Sequence, residues 1–161
     1  MKIIVASLIV LVGFASTAQT IPNNAIGLRL GDSNGFGTEI TYQRRLSEDN
    51  RLELDLGLRK GSRFNAWRAT GMYQWVEPLF TERLNWFVGL GAGAGTFNFD
   101  NDFIGDRDNT LFVQAVGNAG VEYHFDFPLQ IAADFRPEIG IINEVDDTLE
   151  YEFALSLRYT F

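Results

Sequence analysis

The chain contains no cysteine, a single histidine and only two lysines, Lys2 and Lys60, among its 161 residues. Without cysteine, neither a disulfide nor a lipid anchor on an N-terminal Cys is expected. One histidine and no cysteine exclude the usual zinc sites. His124 has no serine and aspartate at triad spacing around it, so it reads as an interior or interfacial polar residue rather than a base. Acidic residues outnumber basic ones, 21 to 13, for a formal net charge of −8. An acidic balance argues against nucleic acid as a partner. Also missing is any apolar run of the roughly 20 residues that a membrane-spanning helix needs. The run from Ile3 to Ala15 falls short of that length; it follows Met1-Lys2 and precedes Ser16-Thr17-Ala18. A positive start, a short apolar core and small residues after it predict a secretory signal peptide over 1–18. The remainder, 19–161, suits a single domain, with its net charge moved to −9 by the loss of Lys2.

Nowhere after that leader does a helical period of 3.6 appear. Stretches of period two are broken instead by clusters of Gly, Asn, Asp and Pro, which predicts an all-β fold. Eight strands are expected, over 25–31, 35–46, 50–60, 64–76, 84–97, 111–125, 129–140 and 149–161. The last is the cleanest. Leu149, Tyr151, Phe153, Leu155, Leu157, Tyr159 and Phe161 share one face, and Glu150, Glu152, Ala154, Ser156, Arg158 and Thr160 share the other. A greasy strand ending a chain is an aggregation hazard unless a sheet closes around it. An eight-stranded antiparallel up-and-down barrel removes that edge, and in lipid its apolar face needs no further cover.

Alternation alone does not decide which face points out, because a soluble lipocalin-like barrel has the same period with its apolar face turned in. Composition of the polar face does. With Ile26, Leu28, Leu54, Leu56, Tyr73 and their alternates outside, the interior receives Arg29, Glu39, Arg45, Arg51, Glu53, Asp55, Arg59, Arg68, Glu122, Asp134, Arg136, Glu138, Glu150, Glu152 and Arg158. An eight-stranded interior is only wide enough for side chains to fill. Matched arginines and carboxylates there make a closed, hydrogen-bonded plug. A solvated outer face would carry abundant lysine, which this chain lacks. Aromatics sort to strand ends as well. Tyr42, Trp75, Trp86, Tyr123, Phe125, Tyr159 and Phe161 fall at one level, and Phe36, Phe64, Trp67, Phe97, Phe112, Tyr151 and Phe153 at the other. Two such girdles mark the two interfaces of a bilayer.

Motifs for chemistry are weak. The glycines from Gly89 to Gly95 lie in a strand pattern, open no helix and lack a P-loop tail. They are expected to relieve crowding beside inward arginines. Asp100, Asp102, Asp106 and Asp108 sit in the longest connection, but Ile104 takes a ligand place and no closing Glu follows, so a solvated acidic loop is favoured over a cation site. No cofactor is implied. Phe97, Phe99, Phe103 and Ile104 around the same connection suggest contact with a partner or with lipopolysaccharide.

The pattern resembles the small eight-stranded outer-membrane barrels of the OmpA/OmpX type, stand-alone and without a peptidoglycan-binding domain. Its most specific element is Phe153, Leu155, Leu157, Tyr159 and Phe161. They are similar to the C-terminal insertion signal read by the barrel-assembly machinery. By that resemblance the chain would reside in the outer membrane of a Gram-negative cell, as a monomer. Its partners would be lipid, lipopolysaccharide, periplasmic chaperones and the assembly complex. The function expected is structural or adhesive and not enzymatic; a narrow solute pore and a periplasmic barrel holding an apolar ligand are the alternatives.

Overall fold

A computed structural model describes residues 21–31, 37–60, 64–99, 109–142 and 149–161. The leader, Phe36 and the four aspartates of the longest connection lie outside the described residues. Eight strands follow in order: β1 (Asn24–Gly31), β2 (Thr38–Arg45), β3 (Asn50–Lys60), β4 (Phe64–Thr81), β5 (Leu84–Phe99), β6 (Asn109–His124), β7 (Leu129–Ile142) and β8 (Leu149–Thr160). Each pairs antiparallel with its neighbour in sequence, and β1 pairs with β8, so the sheet is a closed barrel. Closure runs from Ala25↔Thr160 to Gly31↔Ala154, and Asn24 and Phe161 exchange two backbone hydrogen bonds of 2.9 Å. The predicted hazard of a greasy terminal edge is thereby removed.

The period-two pattern sorts the residues as expected for an inside-out molecule. The odd-numbered apolar residues of β8 are exposed, and Glu152, Ala154, Ser156 and Arg158 are buried. Leu58, Leu90 and Leu155 are each 65% exposed, whereas Arg29, Arg51 and Arg136 are 0% exposed. Soluble monomers rarely leave an apolar patch of more than a few hundred Å² uncovered. Here the whole girth of the barrel is apolar.

Two strand ends differ from expectation. The sequence places a connection at Glu77 to Arg83, but β4 continues to Thr81 and the reversal is a tight turn at Glu82-Arg83. Pro78, within that expected connection, sits instead beside a bulge, where the register shifts from Pro78↔Asn85 to Thr81↔Leu84. Proline is tolerated at a bulge because the ladder is already interrupted there. Phe80 occupies the bulge with φ of 88°, a left-handed conformation rare for a side chain of that size. Pro137 is accommodated without a register shift: Val116↔Glu138 and Ala119↔Phe135 share one register, and the β6–β7 pairing is interrupted between them, at the residue that has no N–H to give.

Inside the barrel, at the end that carries both described termini, Ile21, Val76, Phe87 and Ala132 form a small apolar cluster. Ile21 precedes β1 and folds back into the opening, where its carbonyl accepts a 3.1 Å hydrogen bond from Arg45. We call this the terminus end, and the opposite one the loop end.

Candidate functional site

Because alternate residues of every strand point inward, eight strands deliver charged side chains to one narrow space from all sides. Arg29 of β1 reaches across to β7, where its Nε and Nη2 donate to Asp134 at 3.2 and 2.7 Å. Its Nη1 donates to Glu39 and Glu152, each at 2.8 Å. Glu39 is the hub, since it also accepts from Arg68 at 2.6 Å and from Arg136 at 3.1 Å. Arg68 continues to Glu138 at 2.8 Å, and Arg136 to Asp55 at 2.6 Å and Glu53 at 3.4 Å. Arg158 joins through Glu53 at 3.0 Å and the hydroxyl of Thr41. Guanidinium groups suit this role because five fixed donors can serve several carboxylates at once.

A second cluster lies nearer the terminus end. Glu122 pairs with Arg51 at 2.7 Å and accepts from Gln130 at 2.5 Å; the ring of His124 is 2.9 Å away. Arg51 also donates from Nε to the Gln74 amide oxygen at 2.5 Å and rests over the ring of Phe87, 5.0 Å from its centroid. His124 is therefore an interior neighbour of a carboxylate at the rim.

Of the interior residues expected from sequence, all are buried except three near the ends. Arg59 and Arg45 are half-buried, and Glu150 is exposed, so it does not join the plug. The inward position on a strand ceases to mean burial where the strand emerges from the barrel. Phe112, expected in an aromatic girdle, points inward and is buried. Its even number places it on the interior face with Gln114 and Val116; counting strand ends alone misses that.

The expectation about glycines is also corrected. A Cβ at Gly89 would meet Asn118 and Gln74; at Gly91, Met72; at Gly93, Gln114 and Thr70; at Gly95 and Gly120, the rings of Phe112 and Phe87. None of these neighbours is an arginine. The interior thus has a second sector along β4–β6, neutral and walled by glycine backbone, which charge counting does not reveal. Asn118 in that sector is buried with neither amide atom hydrogen-bonded to a described residue.

The five residues expected to form a C-terminal insertion signal, Phe153, Leu155, Leu157, Tyr159 and Phe161, are all exposed on the outer surface of the barrel. Beside them at the terminus end, outside the spanning strands, Arg83 in the β4–β5 turn is paired through two nitrogens with Asp126 in the β6–β7 turn. Hydrogen bonding to the Tyr123 hydroxyl, and then to Asp126, raises the Arg83 guanidinium above its ordinary range, so it stays charged.

No protein-family model matches the chain, and no curated protein matches it in sequence. Solved structures do. The N-terminal β-barrel domain of Pseudomonas aeruginosa OprF aligns over 87% of this chain and 98% of its own, at 15% identity and a TM-score of 0.68. Neisserial surface protein A aligns over 86% and 94%, at 15% identity and a TM-score of 0.62. Ail, the attachment invasion locus protein of Yersinia pestis, solved in complex with the heparin analogue sucrose octasulfate, aligns over 86% and 96%, at 17% identity and a TM-score of 0.54. At such low identity the likeness concerns backbone architecture, and on that ground the chain has the fold of the small eight-stranded outer-membrane barrels.

Proposed function

We propose that this chain is an integral outer-membrane barrel, closed by its ion-pair plug, whose work is structural or adhesive and is done by the loop end. The observation that carries the reading is the inversion of burial: apolar side chains outside on every side, and arginines with their carboxylates inside, beside the neutral β4–β6 sector. Hydrocarbon is the one surrounding in which that arrangement lowers the free energy of both faces. Strands β4 to β7 have 18, 16, 16 and 14 residues, against the roughly 9–11 that cross a bilayer. They support display of the loop end beyond the membrane surface. Since the chain is acidic and Asp100, Asp102, Asp106 and Asp108 lie in that region of the sequence, a basic or uncharged partner fits better than a polyanion.

Fractionation tests this. The account expects a detergent-requiring band whose gel migration shifts on heating, and a tag inserted between Asn98 and Asn109 that is labelled on intact cells. Recovery with the soluble periplasm contradicts it. The exposed terminal aromatics support assembly by periplasmic chaperones and the barrel-assembly machinery, and Phe161→Ala is expected to slow membrane insertion.

A second reading, a narrow solute path, is favoured by the neutral sector formed by Thr70, Gln74, Gln114 and Asn118. Planar-bilayer recording of the refolded protein separates the two, since a closed plug gives no stable single-channel steps.

A further inference from the structure

The outer surface of the barrel is not uniformly bulky. Leu30, Leu155, Ala133, Val121 and Trp86 lie side by side on five successive strands, joined by the pairs Leu30↔Leu155, Ala133↔Leu155, Val121↔Ala133 and Trp86↔Val121. A methyl group thus sits in a row of large side chains. One row toward the loop end, Ala119 repeats the dent between Phe135 and Val88. Together they make an almost wholly apolar groove of about 780 Å³, walled by Trp86, Phe135, Phe153 and Leu155. A further space of about 410 Å³ shares Leu30, Val121, Ala133 and Leu155 with it and leads to Leu84 and Tyr123. Both spaces are shallow and open along the outer surface, a shape that suits an extended chain lying on it rather than an enclosed ligand.

What the groove leads to at the terminus end is charged. Leu84 is next in sequence to Arg83, and Arg83 is held by Asp126 while keeping half of its side chain exposed. Two of its five donors serve Asp126 and one the Tyr123 hydroxyl, which leaves two for an anion. Asp126 is more exposed still and has acceptor capacity left for a cation. The exit is therefore a neutral pair of one donor-rich cation and one carboxylate, beside an apolar trough.

We propose that this groove is a binding site for one glycerophospholipid bearing a primary-amine zwitterionic headgroup, of the phosphatidylethanolamine class. An acyl chain lies over Ala133 and Ala119, the phosphate is held by Arg83, and the ammonium group by Asp126. Complementarity selects the headgroup. A purely anionic head leaves Asp126 facing a like charge, and a quaternary ammonium has no N–H to donate to it. The site rests on the reading that this surface faces lipid.

Native mass spectrometry of the refolded full chain in detergent, offered equal amounts of phosphatidylethanolamine, phosphatidylcholine and phosphatidylglycerol, tests the proposal. One bound lipid is expected, with the first retained about tenfold over either other, the worth of one charge-assisted hydrogen bond. Ala133→Phe fills the trough and should bring retention of all three to background. Arg83→Gln with Asp126→Asn should remove the preference and leave weak binding. Equal retention of the three lipids, no retained lipid, or unchanged retention in Ala133→Phe would overturn it. Heat-shifted gel migration reports separately on each variant. A chain that needs no detergent fails the membrane reading, whereas a heat-modifiable barrel without lipid preference fails this site alone.

Discussion

Arg29 and Asp134 stand 105 residues apart in sequence and meet inside the barrel through Nε and Nη2, at 3.2 and 2.7 Å. Arg29 is fully buried and Asp134 nearly so. The pair ties β1 to β7 over the intervening β8, a connection that the ladder between neighbouring strands does not make. Glu39 and Glu152 complete the cage around the same guanidinium.

From that cage follows the effect of removing its cation. Glu39 keeps Arg68 and Arg136, and Glu152 keeps Arg68 at 3.5 Å, but Asp134 loses its cation. Breaking a buried pair by deleting one partner costs about 3–5 kcal/mol. Arg29→Met should lower the urea midpoint of unfolding in detergent accordingly. The double variant with Asp134→Leu should recover part of the loss, since the stranded carboxylate is gone. A double variant no better than the single one would show that Asp134 is stabilised by something other than Arg29.

The outer face gives a depth-dependent prediction. Leu54 and Leu56 are central in β3, and Lys60 ends it. An arginine at the bilayer midplane of a barrel costs about 2–4 kcal/mol, falling to about 0–1 near the interface. Leu54→Arg should therefore destabilise the folded barrel in lipid by that larger amount, and Lys60→Arg by almost nothing. Equal, small effects at both positions would mean that water covers the leucines.

Two glycines on neighbouring strands separate close approach from open space. A Cβ on Gly91 would lie 2.0 Å from the carbonyl oxygen of Gly71, whereas one on Gly71 would meet only the end of Leu54 at 3.5 Å. Backbone must move in the first case and nothing in the second. Gly91→Ala is expected to cost about 1–3 kcal/mol, as overpacking does. Gly71→Ala should stay within about 0.5 kcal/mol of the parent in the same unfolding assay.

Much of this molecule is readable in its sequence because period two is a geometric property of a strand, and an interior of arginine without lysine admits few surroundings. β3 runs over 50–60 as the pattern predicts, and β8 begins at Leu149. What the pattern hides is whatever depends on partners across the sheet. Pro78 looks like a terminus until the bulge opposite Leu84 is seen. Phe112 looks like a girdle residue until the side its register assigns is considered. The neutral sector of Gln74, Gln114 and Asn118 gives no charge signal at all, although alternation from Met72 and Val116 places it inside. The rim pair Arg83–Asp126 joins two turns 43 residues apart, which no local reading connects.

Orientation underlies all of these outcomes. Since the chain has no cysteine, Leu56→Cys and Asp55→Cys each offer one site for a nitroxide label. In phospholipid bilayers, electron paramagnetic resonance should find the label at position 56 open to oxygen dissolved in lipid and shielded from a water-soluble nickel chelate. The label at 55 should be shielded from both. Chelate access at 56 equal to that of a label on an exposed turn would contradict the account, because the leucine face would then be in water.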